Sequence, residues 1–215
     1  MKNRFDLIIF DWDGTLVDSV DWIVYCLQQA AAKCHCPVPE RQAAKDIIGL
    51  SIENAMAQLF PDIDNKMRQQ LVAEYAQIFF SRQISRNDLF PGVYPMLEQF
   101  RRDGYHLAIA TGKKATGLAH AIEATGVADL FSTTRSSDQT ASKPEPLMIE
   151  EIIAELNVEK QRTLMVGDSI HDLQMAINAG VSAIGVTCGA HCRSVLQQYQ
   201  PLLCLNYSTD LLEFF

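Results

Sequence analysis

Short apolar runs, each breaking off at a carboxylate, a hydroxyl or a glycine, constrain this chain more than any other feature. Phe5-Asp6-Leu7-Ile8-Ile9-Phe10 leads into Asp11-Trp12-Asp13-Gly14-Thr15, and residues 106–110 lead into Thr111-Gly112. Residues 163–166 lead into Gly167-Asp168-Ser169-Ile170-His171-Asp172, and residues 183–186 form a fourth run. Such runs, rich in β-branched and aromatic residues and poor in polar alternation, predict strands buried on both faces. Apolar residues at helical spacing over 94–103, 115–125, 145–156 and 172–179 separate them. Strands alternating with helices predict right-handed βαβ units. The expected fold is α/β, a Rossmann-like parallel sheet with helices on both faces. Gly104, Gly126 and Gly180 each follow a helical run, where a left-handed C-cap is expected.

The alternation stops between the first and second runs. Residues 21–33, 40–48, 52–59 and 65–81 all show helical spacing, punctuated by Pro37, Pro39, Gly49 and Pro61. The reading is an α/β catalytic core of residues 1–18 and 88–215, with a small all-helical cap domain, 19–87, inserted after the first strand. Pro91-Gly92 marks the return to the core.

Charge and cysteine usage narrow the partners. With 18 Lys and Arg against 26 Asp and Glu, the chain carries −8 at pH 7. A field of that sign repels polyphosphate and argues against nucleic acid or an anionic membrane as partners. No stretch approaches the ~18 apolar residues of a membrane span, and Leu7–Phe10 is too short for a signal peptide. The six cysteines are scattered, which predicts reduced thiols and a cytoplasmic protein. Cys34-His35-Cys36 with Cys188, His191 and Cys192 lacks the spacing of a zinc finger. Monomer and homodimer both remain open. The negative charge does pose a question, because an anionic substrate then needs a local inversion of the field.

In an open parallel sheet, ligands bind at the carboxyl ends of the strands. Asp11, Asp13, Asp168 and Asp172, with the Thr111 hydroxyl, are therefore expected in one small volume. Carboxylates that close together require a hard cation, and all-oxygen ligation is the Mg²⁺ pattern. Asp11 and Asp13 are two apart, so an extended strand end turns both the same way, with Trp12 opposite. An Asp can attack phosphorus to form an aspartyl-phosphate, while a second protonates the leaving oxygen and then activates water. Lys143, in Ser142-Lys143-Pro144-Glu145-Pro146, can offset phosphoryl charge.

At these residues the chain resembles the haloacid dehalogenase-like hydrolase superfamily. Asp11-Trp12-Asp13-Gly14-Thr15-Leu16-Val17-Asp18-Ser19 is similar to its first motif, and Ala110-Thr111-Gly112 to its second. Lys143-Pro144 is similar to the third, and Gly167-Asp168 with Asp172 to the fourth. Their order, with a helical insertion after the first, resembles the phosphoglycolate phosphatase-like branch over essentially the whole chain. The resemblance implies a Mg²⁺-dependent phosphatase acting on a small phosphorylated metabolite. Asp11 would be the nucleophile and Asp13 the general acid and base. Mg²⁺ would be held by Asp11, the Asp13 main-chain carbonyl and Asp168. Thr111, the Gly112 N–H and Lys143 would bind the phosphoryl group. Asp172 would sit behind them, acting through a metal-bound water or by orienting Lys143.

Departures and alternatives follow from the same comparison. Trp12 is bulkier than the residue usual between the two Asp. Lys113-Lys114 add positive charge beside the second motif. Sugar-phosphate mutases on this scaffold tend to flank the cap glycine with Lys and Arg, where Ile48 and Ile52 stand here. Phosphonatases tend to carry a cap Lys, and Lys45 is out of register for it. A non-catalytic phospho-ligand sensor is the reading from another class. Asp18 is expected to cap the first cap helix or its hinge, His171 to lie on the rim, and Arg101-Arg102 to be solvated. Arg135 and Asp138 receive no role. Residues 48–53 have no charge but Glu53, which suits neutral or apolar recognition, or a broad substrate range.

Overall fold

The computed structural model describes Met1 and residues 3–215. The chain runs β1 (Leu7–Phe10), α1 (Val20–Lys33), α2 (Arg41–Asp46), α3 (Ile52–Leu59), α4 (Asn65–Phe79) and α5 (Val93–Arg102). It continues β2 (His106–Thr111), α6 (Ala115–Thr125), β3 (Thr133–Ser136), α7 (Leu147–Leu156), β4 (Thr163–Gly167), α8 (Ile170–Ala179), β5 (Ser182–Val186) and β6 (Leu203–Leu205). Among the described residues the strands form one parallel sheet in the order β3-β2-β1-β4-β5-β6. The α/β Rossmann-like expectation holds.

Period-two alternation splits the strand residues between two faces. Ile8, Phe10, Leu107 and Ile109 pack with Val93, Met96, Leu97 and Phe100 of α5 and with Leu118 of α6. Leu7, Ile9, Ala108 and Ala110 pack with Met148, Ile149 and Ile152 of α7 and with Met175 and Ala176 of α8. β1 lies between β2 and β4, which is why all four of its residues are buried. Trp12 joins the first of these clusters and is fully buried, with no partner for its indole nitrogen among the described residues.

The sheet has two more strands than the four apolar runs suggested. Both lie at its edges. β3 reads Thr-Thr-Arg-Ser and β6 is three residues long, so neither carries the apolar run of a central strand. Helix ends differ from expectation by one or two residues, α7 starting at Leu147 after Pro144 and Pro146. Gly126 and Gly180 are left-handed C-caps at φ 70° and 72°, while Gly104 takes φ 90° one residue beyond the Asp103 cap.

Helices α1–α4 pack on one another through Val24, Leu27, Met56 and Leu71, forming a cluster of their own. The chain leaves and re-enters through paired backbone. The Asp18 N–H donates to the Asp88 carbonyl at 2.9 Å and the Phe90 N–H to the Leu16 carbonyl at 2.9 Å. Asp18 therefore sits in this ribbon and does not cap α1. Ser19 is the N-cap, and its hydroxyl donates to Asp13 rather than accepting from the helix. Among the described residues no helix is long and apolar enough to cross a membrane.

Candidate active site

The carboxyl ends of β1, β2 and β4 meet beneath the helices α1–α4. Asp11 follows β1 and continues its ladder, its N–H donating to the Val166 carbonyl at 2.9 Å. Asp168 follows β4 and accepts from the Thr15 hydroxyl at 3.0 Å and from the Ala190 N–H at 2.6 Å. Gly14, at φ 81°, turns the chain directly over Asp168, so that any side chain there would collide with its carboxylate. Asp172 opens α8 in a capping box with Ser169, accepting from its N–H and hydroxyl at 3.1 and 2.7 Å.

Lys143 reaches into this group from the loop before α7. Its ammonium donates to Asp11 Oδ1 at 2.5 Å and to Asp172 Oδ1 at 2.6 Å, with none of the side chain exposed. Burial works against the charge on Lys143, but Asp11 and Asp172 outweigh it and raise its pKa. Burial pushes the Asp11 carboxyl well up, against the pull of Lys143. Asp168 is pushed up to about 7, by burial first and by Asp172 second.

Asp11, Asp168 and Asp172 can place one oxygen each within 4.8 Å of the others. Three buried carboxylates against one ammonium leave two charges uncompensated, which fits a divalent cation. Both Asp172 oxygens are already engaged, one by Lys143 and one by Ser169. Both Asp168 oxygens are engaged as well, but by the Thr15 hydroxyl and the Ala190 N–H, neutral donors that leave its charge uncompensated.

Asp13 does not join this group, contrary to the expected convergence of four carboxylates. Alternation carries side chains to a common face only while the strand lasts, and β1 ends at Phe10. Asp13 instead accepts from the Ser19 hydroxyl at 2.8 Å and pairs with Lys113 at 2.9 Å. It lines a cavity of about 180 Å³ together with Asp11, Thr111 and Gly112. Asp11, Asp13, Thr111 and Gly112 thus line this cavity, while Lys143, Asp168 and Asp172 form the buried group that meets it at Asp11.

The structure gives partners to several residues whose roles the sequence leaves open, some at the site and some away from it. Lys113 holds Asp13 and also lies 4.6 Å over the Phe79 ring of α4. Ala190 reaches Asp168 because the chain after β5 emerges at the same sheet edge, and that position was the available signal. His171 Nε2 donates to the Asp46 carbonyl at 2.8 Å, tying the core to the end of α2. Asp138 accepts from the Ala115 N–H at 2.8 Å and so caps α6. Arg135 binds Glu151 and Glu155 of α7, away from the site.

The family model described as haloacid dehalogenase-like hydrolase matches residues 8–186. The chain is 33% identical over 209 residues to "Probable phosphatase IndB" of Dickeya dadantii, covering 95% of this chain and 91% of that protein. It is 29% identical over 191 residues to "Phosphoglycolate phosphatase" of Vibrio cholerae, covering 85% and 84%. A hydrolase from Pseudomonas syringae has the same fold at TM-score 0.87 and 21% identity, over 97% of this chain and 96% of that one. The matched region spans β1 to β5 and every carboxylate of the site, so the chain belongs to the haloacid dehalogenase-like hydrolases and is an enzyme of that class.

Proposed function

We propose that the protein is a Mg²⁺-dependent phosphomonoester hydrolase, phosphoglycolate phosphatase-like in mechanism, working through an aspartyl-phosphate. The observation that carries the reading is the buried Asp11–Lys143–Asp172 array beside Asp168, with Asp13 lining the same cavity as Asp11 but held by Ser19 and Lys113. Asp11, the Asp13 main-chain carbonyl and Asp168 would hold Mg²⁺, which when bound offsets phosphoryl charge and keeps the carboxylates ionised. An Asp11 oxygen attacks phosphorus, and the P–O bond to the alcohol breaks. Asp13 gives the leaving oxygen its proton, then takes one from the water that attacks the aspartyl-phosphate and frees inorganic phosphate. Lys143, Thr111 and the Gly112 N–H steady the phosphoryl oxygens.

In this proposal residues 19–87 are the cap that shuts water out of the site. The six free thiols suit a reducing, cytoplasmic setting. Ile48 and Ile52 offer no cation for the second phosphate that a mutase must grip. Release of inorganic phosphate from phosphomonoesters with Mg²⁺, but not with EDTA, is the expected result. Asp11→Asn should lower kcat by at least roughly 10³-fold without loss of fold. Undiminished turnover by that variant would refute the covalent route.

A further inference from the structure

The phosphoryl site occupies one end of the cavity, and the rest must receive the group to which phosphate is attached. That part is walled by α1, α3 and α4, through Ile23, Leu27, Ile52, Val72, Tyr75 and Phe79. Tyr75 and Phe79 stack at 5.6 Å and 23°, and Phe79 meets Phe80 edge to face at 5.4 Å. These rings continue the apolar wall along one side of α4. Burial, reinforced by the Asp13 carboxylate, holds the Tyr75 phenol well above its ordinary pKa, so it stays neutral.

Two cations line this cavity among the described residues, and both are already paired. Lys113 is bound to Asp13 at 2.9 Å and Lys114 to Glu53 at 2.6 Å. A second anionic group on the substrate would meet apolar carbon, or displace a carboxylate from its partner. Meeting apolar carbon or breaking the largely buried Lys113–Asp13 pair is costly, while the exposed Lys114–Glu53 pair is solvated and offers little either way. A glycolate-sized group would also leave much of the roughly 180 Å³ unfilled.

We infer that the preferred substrates are phosphomonoesters of uncharged, ring-bearing alcohols, seated against Tyr75 and Phe79, and not esters that carry a second carboxylate or phosphate. The inference rests on the hydrolase reading above. It is tested by kcat/KM for benzyl phosphate, ethyl phosphate and 2-phosphoglycolate with Mg²⁺. Benzyl phosphate should exceed each of the others by about tenfold or more, the worth of a few buried carbons. Val72→Arg and, separately, Ile52→Arg place a free cation in the wall, and either should move the benzyl-to-phosphoglycolate ratio about tenfold toward phosphoglycolate.

Phosphoglycolate turned over as well as benzyl phosphate by the wild type would overturn the inference and leave the hydrolase intact. So would a ratio unmoved in a folded arginine variant. No phosphate released from any of the three esters would remove the hydrolase reading, and this inference with it.

Discussion

Lys143 is a fully buried ammonium held between two carboxylates, and its removal separates structural from chemical roles. Lys143→Met keeps the volume of the side chain but leaves Asp11, Asp168 and Asp172 without a cation in the unliganded protein. Breaking a buried pair in this way costs about 3–5 kcal/mol. Urea unfolding in EDTA should show that loss, with turnover abolished. A stability unchanged within experimental error would mean the carboxylates are already protonated. The gathering of Asp11 and Asp168 was legible in the sequence because residues that follow parallel strands emerge at one edge of the sheet. Lys143, in the loop before α7, has no such positional signal and was reached only through its Lys-Pro motif. The separate placement of Asp13 was not legible, since it depends on the turn at Gly14 and on Ser19 and Lys113, which only the folded chain brings together.

Legibility among the elements follows burial. Central strands must be apolar on both faces and so announce themselves, as β1, β2 and β4 do. An edge strand has only one neighbour to satisfy, and β3, written Thr-Thr-Arg-Ser, gives no such signal. The contact between the loop before α3 and the end of β2 is likewise invisible in one dimension. Gly112 has no room for a Cβ, because the Gly49 and Leu50 carbonyls lie directly against it, with Leu50 carbonyl carbon 2.7 Å from that position. On the other side the Ser51 N–H donates to the Ser142 hydroxyl at 2.9 Å. Gly112→Ala should therefore lift these two elements apart while leaving both intact. A fall in kcat/KM of at least about tenfold, with little change in the urea midpoint, is expected. Full activity would show that this contact is not part of the working state.

For the whole molecule, the net charge of −8 posed the question of how an acidic protein serves an anionic substrate. The answer lies in where the acids are. Asp11, Asp168 and Asp172 are buried around an ammonium and, in the proposal, a divalent cation, which together cancel their charge locally. Global stability should report this arrangement. Asp168, raised by burial to about 7 from a reference of 3.8, binds its proton more tightly folded than unfolded. Its contribution favours the fold below about pH 4 and is progressively lost as pH climbs toward 7 in the metal-free protein. A divalent cation competes with that proton. The rise in Tm on adding Mg²⁺ should consequently be small at pH 5 and larger at pH 8. Equal rises at both values would place the metal away from Asp168.

The ribbon that pairs Asp18 with Asp88 and Leu16 with Phe90 carries a consequence for descent. The three helices that wall the leaving-group cavity, α1, α3 and α4, all lie within that single seam, whereas the residues assigned to phosphoryl transfer lie outside it. Insertion, deletion or exchange between the two strands of the seam alters which alcohol is admitted without disturbing the register of the sheet. Selectivity and reactivity can then be inherited and revised on separate schedules. On that basis related chains should diverge fastest between residues 19 and 87 while Asp11, Lys143 and Asp168 stay fixed.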